Sequence, residues 1–560
     1  MIHRPLTRSV KAACAAALLL LAPSLRAERL FVGILEADSY QSALYGASAF
    51  SRIADLPLAL ELVQTSLAQS LAVPSLAGLS ATEPLRIVQT LDPALPLGEG
   101  NPANVALIPL ADSGQAARQA LSAAYAAQSG AAPFTVFERP SDTNLPPRVA
   151  LAVSGRHLLT STSRDALQWA WDNRARLLEA PPQSLPGTFR VLVNPQRLAD
   201  LLAARRSQAS AFVNADALLR DCETLSFALT LDGQALAFTL RGKPKKASAL
   251  EALVTSWRKP AAPLWNGIPD SAFFASLSAG GTPELWAPYL GKARTRLLHP
   301  SGDKAPADAF TGDRLTYLAP TRDGQGLCLV QVEPLTNAAP VRQAIQKLDA
   351  AGPDSDIVFT PRPLRTAAGT RIESYAVQLR APQAAPGAPG AQPSIFHTLL
   401  GLFLKKAVLE TAVTADGQLV TVIGPPGSFE QEQTSLTFAA KRLTLDRAIC
   451  LQDGALAGDL TQGASFRLAA LLRHIVSLMP DVKPEQVRML PSGGDGATFA
   501  ISRAEDGTAT ASLRFQSNEI AALQRINRDG REVLQELLLQ MLSKQMMDPA
   551  QTLETKPKAP

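Results

Sequence analysis

Histidine and cysteine are scarce in this chain, and their scarcity excludes much familiar chemistry. Five of 560 residues are histidine and four are cysteine. Beyond residue 27 the histidines are His157, His299, His397 and His474, too dispersed for an HxH, HExxH or Cys/His cluster. They read as structural residues rather than a ligand set, so no metal and no other cofactor is expected. The cysteines beyond residue 27 are Cys222, Cys328 and Cys450, an odd number with no CxxC spacing. That excludes a disulfide scaffold and a paired-cysteine metal or redox site. The three read as buried thiols, with a Cys328–Cys450 bridge as the alternative. Aromatics make up 5% of the chain, so base-stacking platforms are few. The only dense basic cluster, Lys243-Pro244-Lys245-Lys246, reads as a solvated turn, and no nucleic-acid partner is expected.

Catalytic signatures are missing as well. There is no GxSxG elbow, no phosphate-binding loop ahead of a helix and no dinucleotide fingerprint. LGEGNPAN (97–104) has the glycines without the lysine. Ser301-Gly302-Asp303-Lys304 spells S-x-x-K without its companion motifs and reads as a turn. Glu36 and Asp38 precede a helix expected from Ser39, where acids complement the N-terminus. Asp221 and Glu223 flank Cys222 in a loop with no base in sight. No residue is assigned a catalytic, cofactor-binding or metal-ligating role, and an enzyme is not the favoured reading.

What the sequence does contain begins at its N-terminus. Arg4, Arg8, Lys11 and Arg26 stand there without an acid, and the chain beyond Ala27 keeps a net charge of +1 of the full +5. A basic stretch, an apolar run from Ala12 to Ala22 and small residues before Glu28 form a secretory signal peptide, cleaved after Ala27. The run is shorter than the roughly 20 residues a membrane span needs, and no later run is longer. The expected location is periplasmic or secreted, with no transmembrane span.

The rest repeats one theme: an alternating strand, a Gly-containing turn, a second alternating strand, then a helix. It is clearest in 148–173, 224–254, 314–345, 408–424 and 496–526, where Asp-Gly or Ser-Gly marks each reversal. Blocks recur in order: Arg118-Gln119-Ala120 with Arg342-Gln343-Ala344, the turn at Gly155 with that at Gly417, 187–202 with 464–479, and the hairpin through Phe227 with that through Phe499. This predicts an α+β fold of two pseudo-repeated lobes, 28–262 and 263–547, each built of antiparallel β-hairpins covered by helices in two layers. The second lobe carries an insertion at 381–406, a Pro/Gly/Ala-rich loop followed by an apolar helix at 394–406. An apolar helix is also expected at 532–547, and 548–560 reads as a disordered tail. The helices at 394–406 and 532–547 are expected to be core elements. The alternative is docking on an envelope protein partner or membrane-surface contact.

The phrases VALAVSGRHLLTSTSRDALQWAWD and IPDSAFFASLSA, behind a signal peptide, resemble exported bacterial proteins grouped as domains of unknown function. The resemblance implies no activity and no site residues. The function expected is an exported, non-catalytic binding or structural protein of the cell envelope. The alternatives are a hydrolase with its site between the lobes and a peripheral membrane-associated protein. Three of the five tryptophans, Trp257, Trp265 and Trp286, gather around the expected lobe boundary, where they would glue the lobes or line a cleft.

Overall fold

The computed structural model describes residues 30–529 apart from short connections and the segments 93–102, 139–147, 205–213, 259–267, 291–306, 347–356, 380–406 and 431–458. The expected signal peptide, the insertion at 381–406, the helices expected at 394–406 and 532–547, the expected tail, Trp265, Cys450 with the alternative bridge to it, His299, His397 and the S-x-x-K sequence all lie outside the described residues.

Two runs of strands alternate with helices. The first is β1 (Leu30–Ala37), β2 (Leu85–Leu91), β3 (Ala103–Pro109), β4 (Ala127–Ser129), β5 (Phe134–Glu138), β6 (Arg148–Ser154), β7 (His157–Ser161), β8 (Phe189–Val193), β9 (Cys222–Leu231) and β10 (Ala235–Pro244). The second begins with β11 (Phe274–Ala279), β12 (Asp313–Pro320), β13 (Leu327–Pro334), β14 (Ile357–Pro361), β15 (Arg365–Ala367) and β16 (Thr370–Leu379). It continues with β17 (Val408–Val413), β18 (Gln418–Gly424), β19 (Asp459–Phe466), β20 (Ala497–Arg503) and β21 (Ala509–Gln516).

These strands form one antiparallel sheet within a mixed α+β fold. Pairing in the first run follows β4–β5–β6–β7–β3–β2–β1–β8–β9–β10. At β10 the path crosses to β21. It then runs β21–β20–β19–β11–β12–β13–β18–β17–β16–β14, with β15 added to β16.

Two layers are too few for the first run. Alternate residues of β2 and β3 enter different cores: Leu85, Ile87, Ala106 and Ile108 pack with helices 40–53, 60–70 and 115–124. Val88, Val105 and Leu107 pack with Ala166, Leu167 and Ala170 of helix 164–172 on the other face. Every residue of β2 is therefore buried. Sequence alternation mistook a sheet covered on both faces for one covered on one, because buried polar residues such as Arg86 and Gln89 occupy positions that look solvent-facing.

The hairpins form where Gly-containing turns were expected. Gly155, Gly324, Gly417 and Gly507 adopt positive φ, the conformation such turns favour. Asp232-Gly233 differs: the Asp232 carboxylate holds the reversal by accepting the N–H groups of Gln234 at 2.7 Å and Ala235 at 2.6 Å. The stretch 163–178 forms two short helices. Ser163 caps the first by accepting the Ala166 N–H at 3.3 Å, and the break falls at Asn173. The passages 187–202 and 464–479 each turn a strand into a helix, but Phe189 opens its strand and Phe466 closes its own, so their Phe-Arg pairs are not equivalent positions.

Candidate functional site

The region where the two runs meet is the part of the molecule most likened to a site by sequence. Its backbone is the β10–β21 ladder, from Ala235 opposite Gln516 to Gly242 opposite Ala509. Beside it Leu250, Leu253 and Val254 of helix 249–256 pack with Cys222, Trp257, Tyr289 and Ile501, drawing on both runs. Trp257 and Trp286 stack with centroids 6.1 Å apart. Trp257 and Trp286 thus act as packing, with Trp257 buried.

One polar group is held in this packing. The Tyr289 hydroxyl donates to Asp221 Oδ2 at 2.5 Å, and the Asn214 N–H donates to the Tyr289 carbonyl at 3.0 Å. Asp221 ends helix 215–220, and Cys222 follows it into β9. Burial and the adjacent Asp221 carboxylate push the Cys222 thiol up to about 11. Burial, then the hydrogen bond to Asp221, raises the Tyr289 phenol. Both groups remain protonated at neutral pH, so the arrangement holds a phenol–carboxylate hydrogen bond and no thiolate nucleophile. Glu223 turns away to Lys243, 3.3 Å distant.

An expected outcome follows for Cys222. At pH 8 its thiolate fraction is about 100-fold below that of an ordinary thiol. Alkylation of the folded chain, followed by peptide mass spectrometry, should leave Cys222 unmodified until denaturant is added. Rapid modification in the native state would contradict its burial and its raised pKa.

Other carboxylates are tied to arginines inside the sheet. Glu36 accepts from Arg86 Nε and Arg190 Nη2, each at 2.7 Å, and Arg190 also meets Asp38 at 2.5 Å. Arg86 Nη1 donates onward to the Leu177 and Leu178 carbonyls at 3.2 and 2.7 Å. Sequence reading gave Glu36 and Asp38 to the following helix; the structure corrects this. The Ser39 hydroxyl accepts the Ser42 N–H at 3.0 Å and fills the cap, while the acids neutralise arginines on neighbouring strands. Glu333 takes Arg314 and Gln331, each at 2.9 Å. Glu410 accepts Arg365 at 2.5 Å and the N–H groups of Gly427 and Phe429 at 3.3 and 3.0 Å. Charges on strands covered by protein must be matched in this way.

His157 lies at the start of β7, where burial lowers its pKa. The His474 ring packs 5.2 Å from Phe273, with Nε2 3.1 Å from the Gly326 carbonyl. Among the described residues, no three or more His, Cys, Asp or Glu side chains are placed to hold a metal ion. No described helix is long and apolar enough to cross a membrane. Sequence reasoning singled out Asp221 and Cys222 but missed Tyr289, which reaches them across 68 positions with no local pattern to announce it.

Comparison with family models, with curated proteins and with solved structures gives no match for this chain.

Proposed function

We propose that the chain is an exported, non-catalytic binding or structural protein of the bacterial cell envelope, built of two pseudo-repeated lobes at about 28–262 and 263–547. The observation that carries the repeat is the order of strand pairing. Read outward from the β10–β21 ladder, the path β9–β8–β1–β2–β3–β7–β6–β5–β4 has as its counterpart β20–β19–β11–β12–β13–β18–β17–β16–β14. Each position of one path has the same place in chain order in the other, β15 being an addition. Two copies of one topology, joined edge to edge, form an extended scaffold whose outer surfaces are the natural places for partners.

A hydrolase with a site between the lobes is the competing reading. Against it stand the packed tryptophans, the protonated Cys222 and the engagement of Asp221 by Tyr289. Export is tested by expressing the full chain in a bacterial host and weighing the exported product. The expected N-terminus is Glu28; an unprocessed chain left in the cytoplasm would defeat the proposal. The binding role is tested by cross-linking the exported protein in envelope fractions. A recurring cross-linked partner supports it, whereas substrate turnover abolished by D221N would favour the hydrolase.

A further inference from the structure

Most arginines that reach into the sheet have a carboxylate facing them, and against that pattern one group of arginines stands out. Helices 468–477, 484–489 and 517–529 pack together around Ala469, Val476, Leu490, Ala522 and Ile526. On the outside of this bundle Arg473, Arg488, Arg525 and Arg528 converge on a concavity of about 600 Å³, with Ser492 and Met489 at its wall. Among the described residues no acidic side chain lines it. Among the described hydrogen bonds and ion pairs, none engages Arg473, Arg488 or Arg525, in contrast to Arg86, Arg190, Arg314 and Arg365.

This concentration runs against the chain's own charge balance, since 54 basic residues meet 49 acidic ones. Three helices thus bring Arg473, Arg488 and Arg525 together with no acidic partner among the described residues. The guanidinium fork matches the oxygens of a phosphate through paired N–H donors, and several forks around one concavity suit a multiply charged phosphate better than a single carboxylate. The volume exceeds what a lone inorganic ion fills and lies in the range of organic ligand sites. Met489, 64% exposed at the wall, offers an apolar surface beside the charges.

We propose that this concavity binds a phosphomonoester or diphosphate group carried on a larger organic molecule. The group comes from a soluble compound or a lipid headgroup, and the two are separated by the test. The protein is the chain from Glu28 to Pro560. Pyrophosphate is titrated calorimetrically, and vesicles of phosphatidylcholine with and without phosphatidic acid are used in sedimentation.

The expected result is saturable binding of pyrophosphate, of phosphatidic acid vesicles, or of both, weakening as salt rises. R488Q and R525Q should each lower the affinity by about tenfold. R371Q, which alters an exposed arginine paired with Glu373 at 2.7 Å, should leave it unchanged. Pyrophosphate binding alone identifies a soluble source and vesicle binding alone a lipid one. Circular dichroism establishes that each variant is folded; should R525Q fail to fold, R488Q on the short outer helix serves in its place. The proposal is overturned by absence of binding to both probes, or by binding that R371Q reduces as much as R488Q.

Discussion

Alanine at Gly280 should destabilise the protein by about 4 kcal/mol, among the largest effects a single methyl group can have. Gly280 follows β11 with φ at +78°, and its N–H donates to the Gly312 carbonyl at 3.0 Å. An added Cβ would collide with the Ser256 carbonyl oxygen and lie 2.8 Å from the Ser256 carbonyl carbon and 2.9 Å from Trp257 Cα. Those atoms are backbone, at the end of helix 249–256, so relief requires moving the helix end or the strand. Gly155 is the control. Its φ is also positive, but a methyl group added there would meet nothing within 4 Å, leaving only the roughly 1 kcal/mol cost of the left-handed conformation. Urea unfolding of both variants decides the matter. If G280A and G155A shift the curve equally, the close approach of the two backbones at this point is wrong.

Glu36→Ala should cost about 3–5 kcal/mol, the penalty for leaving a buried cation without its counter-ion. Arg86 is 9% exposed and keeps only the Leu177 and Leu178 carbonyls. Arg190 retains Asp38, which is half exposed and a weaker partner in consequence. The comparison is R371A, which removes an exposed pair and should change stability by no more than about 1 kcal/mol. A loss for E36A no larger than that of R371A would mean that Glu36 contributes as a surface ion does. The same measurement separates the two roles considered for Glu36. A helix-terminal charge is worth about 0.3–1 kcal/mol, several times less than the loss expected from the ion pair.

The hairpins were legible because each is a local statement: alternation, a Gly-containing turn, alternation again. The helix expected from Ser39 was legible for the same reason, and it runs over 40–53. What escaped was whatever depends on partners far along the chain. β1 lies between β2 and β8, and nothing near Glu36 reveals that Arg86 and Arg190 will sit opposite it. The same applies to Tyr289 and Asp221. The second covered face escaped too, because an arginine inside a strand signals solvent unless its carboxylate is known. The convergence of Arg473, Arg488 and Arg525 is likewise a product of three-helix packing, since their spacing along the chain forms no recognisable cluster.

The ladder that unites the sheet also imposes a delay. Gly242 is synthesised long before its neighbour Ala509 exists, and at about 5–20 residues per second the intervening stretch of roughly 270 residues occupies on the order of 15–50 s. Throughout that interval β10 presents an open row of backbone donors and acceptors to whatever strand comes near, including the β10 of another nascent copy. The growing chain therefore passes through a window in which its greatest hazard is its own twin, and the window closes only when residues near 516 arrive.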